Sequence, residues 1–197
     1  MDNLFETDED STPLTDDEKN GLIPTWITLR GEINEVEQAG ILSAEKWAFS
    51  RKHQNILSEV FIKKLHKQMF KDVWSWAGQF RTTERNIGVS PWQIATELRN
   101  LLEDTKCWIE YRTYSPDEIG ARFHHRLVWI HPFPNGNGRH SRLMTDILMK
   151  DIGQTRFTWG QGSLIEISGL RQQYIQALRE ADKGQINLLL DFIRMKP

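Results

Sequence analysis

A mainly α fold, a helical bundle with one short β-hairpin, follows from three features of the sequence. Apolar residues recur at spacings of three and four, as in Ile119, Phe123, Leu127 and Ile130. Helix-start chemistry heads these runs, most clearly in Ser115-Pro-Asp-Glu118, with a serine cap, a first-turn proline and an acid three residues on. Strand-like alternation is confined to Gly78–Ser90, where β-branched residues and glycines mix. The chain shows no internal repeat and no βαβ alternation.

Met1–Asp17 is acidic, contains Ser-Thr-Pro and lacks periodicity, so residues 1–20 are expected to form a disordered tail. Gly21-Leu-Ile-Pro24 breaks the chain, and Trp26–Gln38 reads as a helix carrying Ile27, Ile33 and Val36. Residues 21–42 thus form an N-terminal segment ahead of a main domain over 43–197. Ser43 caps a helix to about Asn55, and Ser58 caps another to about Phe70. After the hairpin, Pro91 opens a helix with Ile94, Leu98, Leu101 and Leu102 on one face. The helix from Ser115 ends at His131-Pro132, because proline disfavours helical geometry in the residue before it. A new helix begins near Gly138 and buries Leu143, Ile147 and Leu148. Two more cover Leu164–Ala181 and Gln185–Met195.

With 197 residues, 39% hydrophobic and 26% charged, the chain is expected to be one soluble domain with a sizeable core. Its net charge of −2 argues against bulk binding of nucleic acid or anionic membrane, so any anion site must be local. The lone Cys107 excludes an internal disulfide and is expected to pack. Charges interrupt every apolar run before spanning length, and the acidic start is unlike a secretory leader, which together suit the cytoplasm. Eight tryptophans read as core and surface anchors.

The chemistry concentrates in His131-Pro-Phe-Pro-Asn-Gly-Asn-Gly-Arg-His-Ser-Arg142. Gly136 and Gly138 let the backbone turn its N–H groups toward an anion, at a helix N-terminus that favours negative charge. Arg139 and Arg142, three apart, share a helix face and can fork onto phosphate oxygens. His131 accepts a proton near neutral pH. The stretch reads as a polyphosphate cradle with a general base at its edge.

The segment resembles the Fic (Fic/Doc) core motif, His-x-Phe-x-acid-Gly-Asn-Gly/Lys-Arg-x-x-Arg, at His131, Phe133, Gly136, Asn137, Gly138, Arg139 and Arg142. Phe123-His-His-Arg-Leu-Val-Trp-Ile130 is similar to the family's preceding helix, and the likeness covers about Ser43–Ile193. The opening Thr-Pro-Leu-Thr15 and Trp26-Ile-Thr-Leu-Arg-Gly-Glu32 resemble the subgroup called mobile mystery protein B. The resemblance implies a Fic-type helical bundle with a hairpin flap. It also implies an adenylyltransferase moving AMP from ATP, with Mg²⁺, to a Ser, Thr or Tyr hydroxyl of a target protein. His131 would be the base, Gly136–Gly138 the cradle with Asn137 helping, Arg139 and Arg142 the outer-phosphate ligands, and Phe133 the loop's anchor. Arg85, Asn86, Ile87 and Gly88 would form the target-docking flap, pairing an extended segment by strand addition.

Asn135 departs from the pattern, standing where the family places a Mg²⁺-binding acid; an amide oxygen lacks the charge a hard cation favours. Two further readings stay open: a catalytically weak nucleotide-binding regulatory module, or a Fic-related phosphotransferase or AMP-removing enzyme. Gly138 resembles the AMP-transferring branch, since the phosphorylating branch has lysine there. Thr28-Leu-Arg-Gly-Glu32 resembles the family's inhibitory helix, implying a Glu32–Arg142 pair, although Ile33 stands where glycine or asparagine is expected. The subgroup resemblance also implies a small helix-turn-helix partner, and an oligomer is open.

His124, His125, His131 and His140 invite a zinc reading, but no acidic or cysteine ligand has the spacing for one. His124 is expected to be a hydrogen-bonded support beneath the loop. His53 and His66 read as ordinary helix residues.

Overall fold

The computed structural model describes residues 14–161 and 169–195. The helices among them are α1 (Asp16–Lys19), α2 (Arg30–Phe49), α3 (Glu59–Phe70), α4 (Ile94–Glu110), α5 (Pro116–Ile130), α6 (Asn137–Asp151), α7 (Gly169–Asp182) and α8 (Asn187–Ile193). A 3₁₀ turn over Pro91–Gln93 leads into α4. The pairs α5–α6, α2–α3, α4–α5 and α7–α8 make the main helix contacts. Buried Ile62, Leu65, Phe70, Leu98, Leu101, Phe123, Leu127, Phe133 and Met144 belong to one large core. Ala121, Met149, Tyr174, Leu189 and Phe192 form a second, smaller one. Full burial of each large apolar side chain contributes about 1.5–3 kcal/mol, so these seams hold the loops between them.

Local rules account for several helices. Ser58 caps α3 by accepting from the Phe61 N–H at 3.2 Å, and Ser115 caps α5 through the Glu118 N–H at 3.3 Å. Ile119, Phe123, Leu127 and Ile130 are buried on α5, as their spacing requires.

Four expectations are corrected. Residues 14–20, assigned to a disordered tail, fold: Leu14 is buried, and a Thr15–Glu18 capping box starts α1. Residues 1–13 of that tail, and residues 162–168 at the head of the Leu164–Ala181 helix, lie outside the described residues. The two helices expected around Ser43 are one, α2. A Cβ on Gly40 would stand 2.4 Å from the Met69 carbonyl oxygen, so the glycine serves close packing of α2 on α3 and does not end a helix. No hairpin forms over Gly78–Ser90. The Arg81 N–H donates to the Pro132 carbonyl at 2.9 Å and the Val89 N–H to the Ile130 carbonyl at 3.4 Å, so the segment's ends pair with the end of α5 instead of with each other. Cys107 is exposed, not packed.

Candidate active site

The candidate site is the turn joining α5 to α6. His131 terminates α5 in left-handed conformation, φ 52° and ψ 59°, an unusual state for a residue with a side chain. The Arg81 Nε donates to the His131 carbonyl at 2.7 Å and its Nη1 to the Thr83 carbonyl at 2.9 Å; its Nη2 donates to the Val89 carbonyl. One guanidinium therefore fastens both the histidine's backbone and the returning flap. Phe133 is fully buried. Asn137 clamps it, accepting from the Phe133 N–H at 2.9 Å and donating to the Phe133 carbonyl at 2.7 Å. Gly136 turns the chain at φ 76°, where a Cβ would stand 2.5 Å from the Phe70 ring. The His140 N–H bonds the Gly136 carbonyl at 2.9 Å, which leaves Asn137, Gly138 and Arg139 as the first turn of α6, where backbone N–H groups point away from the helix.

His131 is buried, and its pKa is lowered to about 4, by burial first and then by the charges of Arg81 and Arg85. The imidazole is neutral at pH 7 and can take a proton. A Cβ on Gly88 would stand 2.6 Å from the His131 Cβ, so the flap crosses the histidine at a residue without a side chain. Ile87 beside it is exposed.

The arginines differ. Arg142 sits against Tyr174 of α7, whose hydroxyl favours its charge while burial opposes it; its guanidinium lies 5.6 Å from the Tyr174 ring centroid. His124 meets the same hydroxyl at 2.9 Å. Arg139 donates through Nη1 to Glu37 Oε2 at 2.6 Å. Glu37, on α2 and 1% exposed, also accepts from the Trp74 indole at 2.7 Å and from the Asn135 amide at 3.4 Å.

Glu32 is not brought to Arg142. Its carboxylate accepts from the Thr28 and Leu29 N–H groups at 2.7 and 2.9 Å, which hold its pKa down. It caps α2. Asn135 does not present a metal ligand: its Oδ1 accepts from the Gly136 N–H at 2.7 Å and its Nδ2 faces Glu37. The nearest carboxylate is held by Arg139 and Trp74, so these donors do not fit a protein-held Mg²⁺. Arg85, expected on a docking flap, is instead buried at its side chain and pairs with Glu18 of α1. Asn86, Ile87 and Gly88 stay exposed.

The other histidines have separate partners: His140 bonds the Ile62 carbonyl at 3.0 Å and His125 meets Asp182 at 2.8 Å. Sequence reasoning passed over Arg81, Glu37, Tyr174 and His66. None lies in a local pattern that marks it, because each acts on a residue far along the chain.

Fold and site together define a helical domain that sets a neutral histidine and two arginines around a helix N-terminus. Residues 56–149 match the model of the Fic/DOC family. It is 34% identical over 84 residues to Protein adenylyltransferase fic-1 of Caenorhabditis elegans, a match over 39% of this chain and 16% of that protein. It is 30% identical over 119 residues to Protein adenylyltransferase Fic of Drosophila grimshawi, over 59% of this chain and 23% of that protein. The chain thus spans less than a quarter of these relatives. The fold is shared with BepC from Bartonella tribocorum, solved with bound AMPPNP (TM-score 0.66, 21% identity, 91% of this chain and 97% of that one). It is also shared with the N-terminal FIC domain of Bep8 from Bartonella sp. 1-1C (TM-score 0.69, 16% identity, 89% of this chain and 94% of that one).

Proposed function

We propose that the protein transfers AMP from ATP to a Ser, Thr or Tyr hydroxyl of a target protein in the cytoplasm, and that Glu37 restrains it. The observation that carries this reading is neutral His131 beside the first turn of α6 and its two arginines. The imidazole takes the proton of the target hydroxyl as its oxygen bonds to the α-phosphorus. The bond from that phosphorus to the bridging oxygen breaks, and pyrophosphate leaves with the electron pair. The N–H groups of Asn137–Arg139 and the guanidiniums of Arg139 and Arg142 stabilise charge on the phosphate oxygens. The target segment lies along Asn86–Gly88, close to His131. No step is assigned to Mg²⁺.

Glu37 occupies the fork on Arg139 that a phosphate needs, and a charge-assisted pair of this kind is a direct competitor. Restraint is therefore assigned to Glu37 in place of Glu32. A partner that displaced α2, the small helix-turn-helix protein among them, would withdraw the carboxylate. The second reading, a weak nucleotide-binding regulatory module, is favoured by the engaged amide of Asn135.

The test incubates wild type, Glu37→Gln and His131→Ala with cell extract and ATP labelled at the α- or the γ-phosphate. In Glu37→Gln the carbonyl oxygen still accepts from Trp74, but an amide N–H₂ facing Arg139 repels it. Protein labelled from the α-position only, increased by Glu37→Gln and lost in His131→Ala, is expected. Labelling from γ alone overturns the reading in favour of phosphorylation. No labelling despite measurable ATP binding overturns it in favour of the binding module.

A further inference from the structure

His66 lies on α3, wholly buried, with its ring stacked on Phe133 at 3.7 Å between centroids. Both ring nitrogens are used. Nδ1 accepts from the Gly78 N–H at 2.9 Å, and Nε2 meets the Asn135 carbonyl oxygen at 3.0 Å. The partners dictate the tautomer: an N–H can only donate, so Nδ1 must be bare, and a carbonyl can only accept, so Nε2 must carry the proton. Gly78 begins the flap, and Asn135 immediately precedes the Gly136 turn of the cradle. One ring thus joins the two loops that must meet over His131.

The surroundings hold this arrangement closely. Gly78 has φ +83°, and a Cβ there would stand 2.8 Å from the Lys63 carbonyl oxygen, so the flap's first residue can approach α3 only as glycine. Phe70, four residues beyond His66 and therefore on the same helix face, is the ring over which Gly136 turns. The C-terminal half of α3 is the floor of the site. His66 is its one polar group with a bond to each loop.

We propose that His66 is a positioning residue that sets the target-docking flap and the phosphate-binding turn in register through two separable hydrogen bonds. The proposal rests on reading those loops as docking and nucleotide sites, but the bonds can be tested without that reading. In His66→Asn, the amide oxygen stands near the place of Nδ1 and can accept from Gly78, while nothing reaches Asn135. In His66→Gln, the longer side chain places an N–H₂ near Nε2, and the acceptor for Gly78 is lost. His66→Phe keeps the ring and loses both bonds.

Hydrogen–deuterium exchange at residues 78–90 and 135–139 and the Kd for a non-hydrolysable ATP analogue separate the two bonds. His66→Asn is expected to speed exchange at 135–139 and weaken nucleotide binding about tenfold, a typical consequence of one lost buried hydrogen bond, with the flap unchanged. His66→Gln is expected to speed exchange at 78–90 with nucleotide Kd near that of wild type. His66→Phe should show both effects. Asn and Gln variants with the same exchange pattern, each tracking its loss of Tm, would overturn the proposal and leave a packing role. If His66→Phe does not fold, the Asn and Gln pair decides alone. If wild type binds no nucleotide, the functional reading fails while the exchange patterns still decide the role of His66.

Discussion

His131 must be deprotonated to accept a proton, and its environment determines where that requirement lapses. Burial, followed by the charges of Arg81 and Arg85, brings its pKa from 6.5 to about 4. The rate at saturating nucleotide should therefore stay level from neutral pH down to about 5 and fall only as pH approaches about 4. A pH–rate profile with its acid limb near 6.5 would contradict the buried, arginine-flanked ring. The proposed base is legible in the sequence, because His131 heads a short local pattern. Its support is not: Arg81 acts from fifty residues away and His66 reaches Asn135 across sixty-nine. Such partners leave no spacing to read.

Among the elements, α2 and α1 set constraints that composition alone misreads. Glycine to alanine inside an exposed helix stabilises by about 1 kcal/mol, but at Gly40 the added methyl would meet the Met69 carbonyl oxygen at 2.4 Å. Gly40→Ala should thus destabilise by about 1–3 kcal/mol, seen as a fall in the urea midpoint; a rise would contradict the close α2–α3 crossing. Ser43, a cap by residue type, lies inside α2, and a serine within a helix and one at its start look alike in sequence, which is why α2 reads as two pieces. Glu18 of α1 pairs with buried Arg85, and the Trp76 indole donates to its carbonyl at 3.0 Å. Removing the carboxylate leaves the Arg85 charge without its partner. Glu18→Ala should speed amide exchange over residues 81–90 and leave α6 protected; an unchanged flap would show that α1 does not hold it. Helices α3 and α5 were legible because cap and apolar spacing both lie within them. The flap was misread because its backbone partners belong to α5.

Over the whole molecule, four histidines are buried and held neutral. His66 is lowered well below the usual range, His124 to about 3, and His131 and His140 to about 4, each chiefly by burial. In the unfolded chain they take up protons near pH 6.5, while in the native state His131 and His140 stay unprotonated until about pH 4 and His124 until about pH 3. Between those limits the unfolded state binds more protons, so stability is full above pH 6.5 and declines as pH falls. Each group contributes up to about 1.4 kcal/mol per pH unit across that window. Urea midpoints measured at pH 7, 6 and 5 should fall in sequence, and a flat series would contradict neutral burial of the four rings.

The central claim, that nucleotide phosphates take the place of Glu37 on the first turn of α6, is tested most directly by a crystal structure with a non-hydrolysable ATP analogue. The expected complex has outer phosphates on Arg139 and Arg142, backbone N–H groups of Asn137–Arg139 facing their oxygens, and the Glu37–Arg139 pair broken. A nucleotide bound elsewhere, or one seated here with that 2.6 Å pair intact, would contradict it.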